Sequence, residues 1–238
     1  GIELYYDTAQ QAVWQLGLSD RERIRAAVRQ LANLQLEIPC VDAAGELQDV
    51  ATDFAVEQGF RDAIEFAAAI QSPALRVRTL RPDNDEGFST RTALEKILPI
   101  AKEYGITVLV ETIGPYADSK ALCQILDSFA DDYLAALWDV PHSCQAGESP
   151  ETTIRELGAY VRHVHLRDAA GSEQRLVGEG DLPLDEVFLA LSSINYDGFI
   201  SCEWSPDWLP GLRDLEVVLV HFAAWTSQFT APVRSPVH

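Results

Sequence analysis

Apolar residues follow two alternating rhythms along this chain. Short runs rich in Val, Ile, Leu and aromatic residues alternate with longer segments whose apolar positions fall three and four apart. Ile2 to Tyr6 predicts a strand. Ser19-Asp20 then caps a helix reaching about Asn33, with Ile24, Ala27, Val28 and Leu31 on one stripe. Leu36 to Val41 is the next strand, with Pro39 marking its end, and Val56 to Ile70 is helical, with Phe60, Ala63, Ile64, Ala67 and Ala68 facing inward. The strand Ala74 to Leu80 leads into an exposed Pro/Asp/Gly loop over 81–87, and a helix from Ser89-Thr90 stops at Gly105. The rhythm continues with a strand Ile106 to Thr112, a helix Asp118 to Phe129, a strand Tyr133 to Val140 and a helix opened by Ser149-Pro150-Glu151. Ala159 to Asp168 is a further strand. After a Gly-rich loop come a helix Pro183 to Ile194, a strand Phe199 to Trp204, a last helix from about Leu212 to Phe229, and a loose tail over 230–238.

These are seven βα units with no break in composition, so residues 1–238 read as one domain. Strict alternation with apolar strands implies an α/β fold in which a parallel sheet is covered by helices. A closed barrel of this kind has eight strands, so the expected fold is a (β/α)8 TIM barrel lacking its first βα unit. The chain opens directly on a strand at Gly1 and contains no methionine, so the absent unit is expected ahead of Gly1. The first and last strands are then expected to leave an open seam, or one covered by a neighbouring chain.

The strand Ala159 to Asp168 is unusual because it is apolar yet carries His163, His165 and Arg167. Side chains alternate in a strand, so these three share one face, and polar groups on a core face must be paired or must bind something. Three other strands end in a carboxylate: Glu111, Asp139 and Glu203. Barrel sites form at the carboxyl ends of strands. Successive members of the set Glu111, Asp139, His165 and Glu203 lie about one βα repeat apart, which puts them around one mouth. Three oxygen donors and one imidazole suit Mn²⁺, Mg²⁺ or Co²⁺; Zn²⁺ remains an alternative, although structural zinc more often recruits thiolates. Taken singly, each acid has a plainer explanation: it caps the helix that follows, or pairs with an arginine. The four in step favour the metal.

Composition narrows the partners. The net charge of −19, with no dense Lys/Arg run, excludes nucleic acid as a natural ligand. No apolar run has the length of a membrane span, and no signal peptide is visible. Cys40, Cys123, Cys144 and Cys202 form no CxxC pair, which is the cysteine usage of a cytoplasmic enzyme with reduced thiols. The face His221 to Trp225 is core or a homo-oligomer contact.

Several motifs together resemble the sugar phosphate isomerase/epimerase superfamily of xylose isomerase-like barrels. They are Val110-Glu111, Trp138-Asp139-Val140-Pro141-His142, His163-Val164-His165-Leu166-Arg167-Asp168, Val177-Gly178-Glu179-Gly180-Asp181 and Asp197 to Trp204. Gly1 to Leu4 is similar to that family's second strand. The resemblance implies one divalent metal held by Glu111, Asp139, His165 and Glu203, with Glu111 and Glu203 also acting as the acid–base pair. It implies that His142 and Arg167 contact the oxygens of a sugar, sugar phosphate or polyhydroxy keto acid. The implied reaction moves a proton beside a carbonyl through a metal-stabilised enediolate. Dehydratases of the same fold, acting on inososes or dehydroshikimate, are the alternative reaction, and a non-catalytic sugar- or acid-binding barrel is the alternative class. A ketose 3-epimerase arginine six residues past the metal histidine has no counterpart, because Gly171 stands there.

Alternatives stay open at single residues. His142 is equally explained as a loop histidine bonded to backbone, and Arg167 as the salt-bridge partner of Asp168 or Glu179. Arg78 is near enough to its strand end to touch substrate, while Arg76 and Arg78 otherwise serve as internal partners of Glu3 or Glu37. His163, set deeper than His165, is expected to be a paired core histidine. Gly178-Glu179-Gly180 lacks the strand and helix of a dinucleotide fingerprint and reads as a tight loop near the site.

Overall fold

The computed structural model describes residues 1–6, 21–82, 87–205 and 214–230. Its main sheet contains seven strands, all parallel: β1 (Leu4–Tyr6), β2 (Val41–Ala43), β3 (Ala74–Val77), β4 (Thr107–Glu111), β5 (Leu134–Asp139), β6 (Val161–Leu166) and β9 (Phe199–Cys202). They pair in chain order and curl into a half-barrel, with β1 and β9 as the two edges. Helices α1 (Arg21–Asn33), α2 (Phe54–Ala69), α3 (Phe88–Tyr104), α4 (Ser119–Phe129), α5 (Val140–Gln145), α6 (Pro150–Leu157), α7 (Leu184–Ser193) and α8 (Leu215–Thr230) connect or follow the strands. The expected βα alternation is present. The cap at Ser19-Asp20, part of the loop over 81–87 and the tail beyond Thr230 lie outside the described residues.

Period-2 alternation divides the core into two parts. Side chains such as Leu4, Tyr6, Val41, Leu75, Val108, Val110 and Trp138 face the helices and form the large outer layer. The positions between them face the interior. Low in that interior, Cys40, Ala74, Leu109, Ala135 and Leu137 make a small apolar plug. Above the plug the interior positions become polar, with Asp42, Arg76, Glu111, Asp139, His163 and His165 all mostly or wholly buried. The sheet therefore converts alternation in sequence into a layer of charge resting on a layer of hydrocarbon.

Local signals account for most element boundaries. Asp53 and Asp118 accept backbone N–H bonds at the starts of α2 and α4, Ser149 does so ahead of Pro150 at α6, and α3 ends on a left-handed Gly105. The run predicted as a strand over 36–41 is irregular until Val41, because Pro39 has no N–H to give to a ladder. Beyond β6, a two-stranded antiparallel hairpin, β7 (Asp168–Ala170) with β8 (Glu173–Arg175), occupies a stretch whose polar sequence carries no strand signal.

Asp168 organises the loop that follows this hairpin. Its buried carboxylate accepts hydrogen bonds from the backbone N–H groups of Ala169 (2.8 Å), Gly178 (2.9 Å), Gly180 (2.9 Å) and Leu182 (3.3 Å). Gly180 is required because a Cβ there would stand 2.2 Å from Asp168 Oδ1. The Gly-rich motif is thus a backbone cradle for an internal carboxylate. Charge-assisted bonds of this type each contribute about 1.5–3 kcal/mol. Asp168→Ala should therefore lower unfolding free energy by about 3 kcal/mol or more in urea titration, with Asp168→Asn intermediate. A loss below about 0.5 kcal/mol would show that the cradle is not structural.

Candidate functional site

Glu111, Asp139, His165 and Glu203 converge. One donor atom from each lies within 4.8 Å of every other, at the carboxyl ends of β4, β5, β6 and β9. Glu111 and Asp139 are fully buried and His165 almost so, while the Glu203 side chain is 24% exposed at the mouth. The strand ends hold the groups in place: Glu111 pairs with Leu137 and Asp139 with His165 in the parallel register, and Glu203 N–H donates to the Leu166 carbonyl.

Two arginines lie among these acids. Arg76 grips Glu111 with both prongs, Nε to Oε2 at 3.0 Å and Nη2 to Oε1 at 2.6 Å, and reaches Asp42 at 3.4 Å and Glu203 at 3.6 Å. The expected partners Glu3 and Glu37 are not the ones it takes: the register sets Arg76 opposite Leu109, so Glu111, two residues on along the same interior face of β4, is within reach. Arg167 bonds Asp139 Oδ2 at 3.0 Å and Glu203 Oε2 at 2.5 Å, and its Nη2 donates to His142 Nε2 at 3.1 Å. Asp168, its neighbour in sequence, spends its oxygens on the backbone cradle. Asp139 also caps α5: its Oδ1 accepts the His142 N–H at 2.9 Å and lies 3.0 Å from His142 Nδ1. Cap and arginine partner, the plainer explanations for single acids, are thus present within the same cluster. Arg78 sits farther out, part-exposed, 3.8 Å from Asp42 Oδ1.

Glu3 is the group that sequence reasoning undervalued. Its carboxylate, reaching in from the start of β1, meets His163 Nε2 at 2.9 Å and His165 Nε2 at 3.0 and 3.1 Å. His163 also meets Ser201 Oγ at 2.9 Å and is the paired core histidine expected. The available signal was the alternation of Glu3 with Leu4 and Tyr6; the strand-end rule pointed elsewhere, because Glu3 precedes its strand.

The electrostatics separate the acids. Burial pushes Glu111 up, against the pull of Arg76, and burial likewise raises Asp42. Asp139 is equally buried, yet His142 and Arg167 outweigh burial and hold it below the usual carboxylate range. Burial also opposes charge on Glu3, but hydrogen bonds with His163 and His165 hold it far below that range. Burial would lower His165, and Glu3 instead raises it.

A divalent cation fits this donor set. The His165 Nδ1 atom is buried, has no hydrogen-bond partner, and faces Glu111 Oε1 at 4.0 Å. An imidazole nitrogen with no hydrogen-bond partner beside three carboxylates is the arrangement expected of a ligand set. A separate cavity of about 580 Å³, lined by Leu31, Leu36, Pro39, Ile70 and Phe199 among others, opens at the amino ends of the strands, away from this chemistry. Among the described residues, no helix is long and apolar enough to cross a membrane.

Known proteins place the chain in context. An uncharacterised protein of Methanocaldococcus jannaschii is 30% identical over 162 residues, which is 60% of this chain and 54% of that protein. A 2-oxo-tetronate isomerase of Pectobacterium atrosepticum is 25% identical over 185 residues, 69% of this chain and 68% of that one. An inosose dehydratase of Clostridium perfringens is 23% identical over 146 residues, 52% of this chain and 49% of that one. The chain thus spans about half the length of the first and third of these relatives. The crystal structure of a D-tagatose 3-epimerase-like protein superposes with a TM-score of 0.74 at 21% identity, covering 96% of this chain and 87% of that one. The family model for the xylose isomerase-like TIM barrel matches residues 1–219, and the chain belongs to that family.

Proposed function

We propose that this chain is a divalent-metal-dependent isomerase or epimerase, built on one barrel domain, acting on a sugar, sugar phosphate or polyhydroxy keto acid. The observation that carries this reading is the unpartnered His165 Nδ1 set among the carboxylates of Glu111, Asp139 and Glu203. These four would hold Mn²⁺, Mg²⁺ or Co²⁺, with Zn²⁺ as the alternative. The bound ion would supply Lewis-acid stabilisation of negative charge developing on a carbonyl oxygen.

Glu111 and Glu203 are the proposed acid–base pair. Carboxylates whose environments push their affinities for protons in opposite directions mark a division of roles. Glu111, raised by burial, suits proton exchange; Asp139, held low by His142 and Arg167, suits a permanently charged ligand. The two glutamates begin from different states. Both Glu111 oxygens are occupied by Arg76, whereas Glu203 Oε1 has only a 3.6 Å contact with the same arginine. Glu203 is thus the freer base, and Glu111 acts once Arg76 shifts toward Asp42. Arg167 and His142, joined to each other at the part-exposed rim, are placed to bind substrate oxygens, with Arg78 farther out. Four free cysteines support a reducing compartment such as the cytoplasm.

The inosose dehydratase match favours a second reading, in which the same base removes the proton and water leaves the neighbouring carbon. Product analysis separates the two, since only the dehydratase forms an unsaturated ketone absorbing in the ultraviolet.

Metal analysis tests the ligand set. The wild type should carry a divalent ion after incubation with Mn²⁺ and desalting, and Asp139→Asn and His165→Ala should lose it; unchanged occupancy in both variants would eliminate these ligands. A screen of ketoses, sugar phosphates and ring keto acids with Mn²⁺ present supplies the substrate for the second test. Glu111→Gln and Glu203→Gln should each cost about 10²–10⁴-fold in kcat and abolish solvent deuterium exchange at one face. Full activity in either variant would end the two-base assignment.

A further inference from the structure

The geometry points to Glu3 as a positioning residue that fixes which nitrogen of His165 faces the metal. This inference rests on the metal reading proposed above. An ionised carboxylate only accepts hydrogen bonds, so Glu3 Oε1 and Oε2, at 3.1 and 3.0 Å, require His165 Nε2 to carry a hydrogen. In the neutral imidazole the lone pair then belongs to Nδ1, the buried atom that has no protein partner and points toward Glu111. The opposite tautomer would leave a buried Nδ1–H without an acceptor while setting the Nε2 lone pair against a carboxylate. Both faults are costly in a dry interior. Metal-binding histidines are ordinarily oriented by an acceptor on their second nitrogen. Here that acceptor comes from the far edge of the sheet, 162 residues away in sequence. His163 and Ser201 complete the arrangement: His163 Nε2 lies 2.9 Å from Glu3 Oε1, which it shares with His165, and 2.9 Å from Ser201 Oγ.

A purely structural Glu3 would clasp β1 to β6 without regard to tautomer, and two measurements separate that role from positioning. The first is Mn²⁺ titration of wild type, Asp139→Asn, Glu3→Gln and Glu3→Asp, read from the electron paramagnetic resonance of free Mn²⁺. Wild type should bind, Asp139→Asn should not, Glu3→Gln should bind about 10–100-fold more weakly, and Glu3→Asp should recover part of the loss. Wild type that takes up no Mn²⁺ removes the metal reading itself. Wild type that binds, with Glu3→Gln matching it, removes only the role of Glu3. The second measurement needs no Glu3 variant to fold. Long-range ¹H–¹⁵N correlation spectra of metal-free wild type, recorded above the imidazole titration and assigned with His165→Ala, should show Nε2 protonated and Nδ1 bare. An Nδ1-protonated His165 would overturn the proposal.

Discussion

The structure depends on keeping charge inside a curled sheet. Alternation gives every strand an interior face, and that face gathers Asp42, Glu111, Asp139 and Glu203 around Arg76 and Arg167, with Glu3 against His163 and His165. Carboxylates so crowded and so poorly hydrated repel strongly unless cations intervene. Arg76 and Arg167 intervene through hydrogen bonds with defined directions, so each guanidinium sets the orientation of the acids it neutralises. Removing one partner from such a network is worse than removing the pair, because the survivor is left buried and charged. Compensation and preorganisation are here the same contacts.

This view also explains why one cluster can satisfy two explanations that seemed to compete. Asp139 caps α5 with Oδ1 and keeps Oδ2 for the mouth; Glu203 meets Arg167 with one oxygen and leaves the other more open. A carboxylate has two oxygens with several acceptor directions, and a strand end beside a helix start uses them separately. Burial without a sufficient counter-charge raises Glu111, and a full complement of donors lowers Asp139. Residue type alone does not make that distinction; neighbours do.

Much of this was legible in the residues. The β–α rhythm gave the parallel sheet, and the recurrence of acids and one histidine at strand ends, about one βα repeat apart, pointed to Glu111, Asp139, His165 and Glu203 around one mouth. What escaped was set by which strands pair and in what register. Arg76 meets Glu111 rather than Glu3 or Glu37 because β3 pairs with β4 and the register brings those two interior positions together. Arg167 reaches Asp139 and Glu203, while Asp168 spends its carboxylate on four backbone N–H groups, a demand invisible until the loop is folded. The hairpin of β7 and β8 escaped for a simpler reason: Glu173-Gln174-Arg175 has no apolar alternation to reveal a strand.

The wide sequence separation of the partners has a consequence for how the protein acquires its chemistry. Arg76 and Glu111 are 35 residues apart, Arg167 and Glu203 are 36, and Glu3 and His165 are 162. The four clustered donors Glu111, Asp139, His165 and Glu203 come from the ends of four different strands. Loop-closure entropy must be met before these contacts form, and topologies dominated by distant pairings fold slowly. Glu3 can meet His165 only once β6 has formed, and Glu203 enters the cluster only with β9. The four clustered donors therefore come together only when β9 joins the sheet, as one late event of assembly rather than as a series of local pairs.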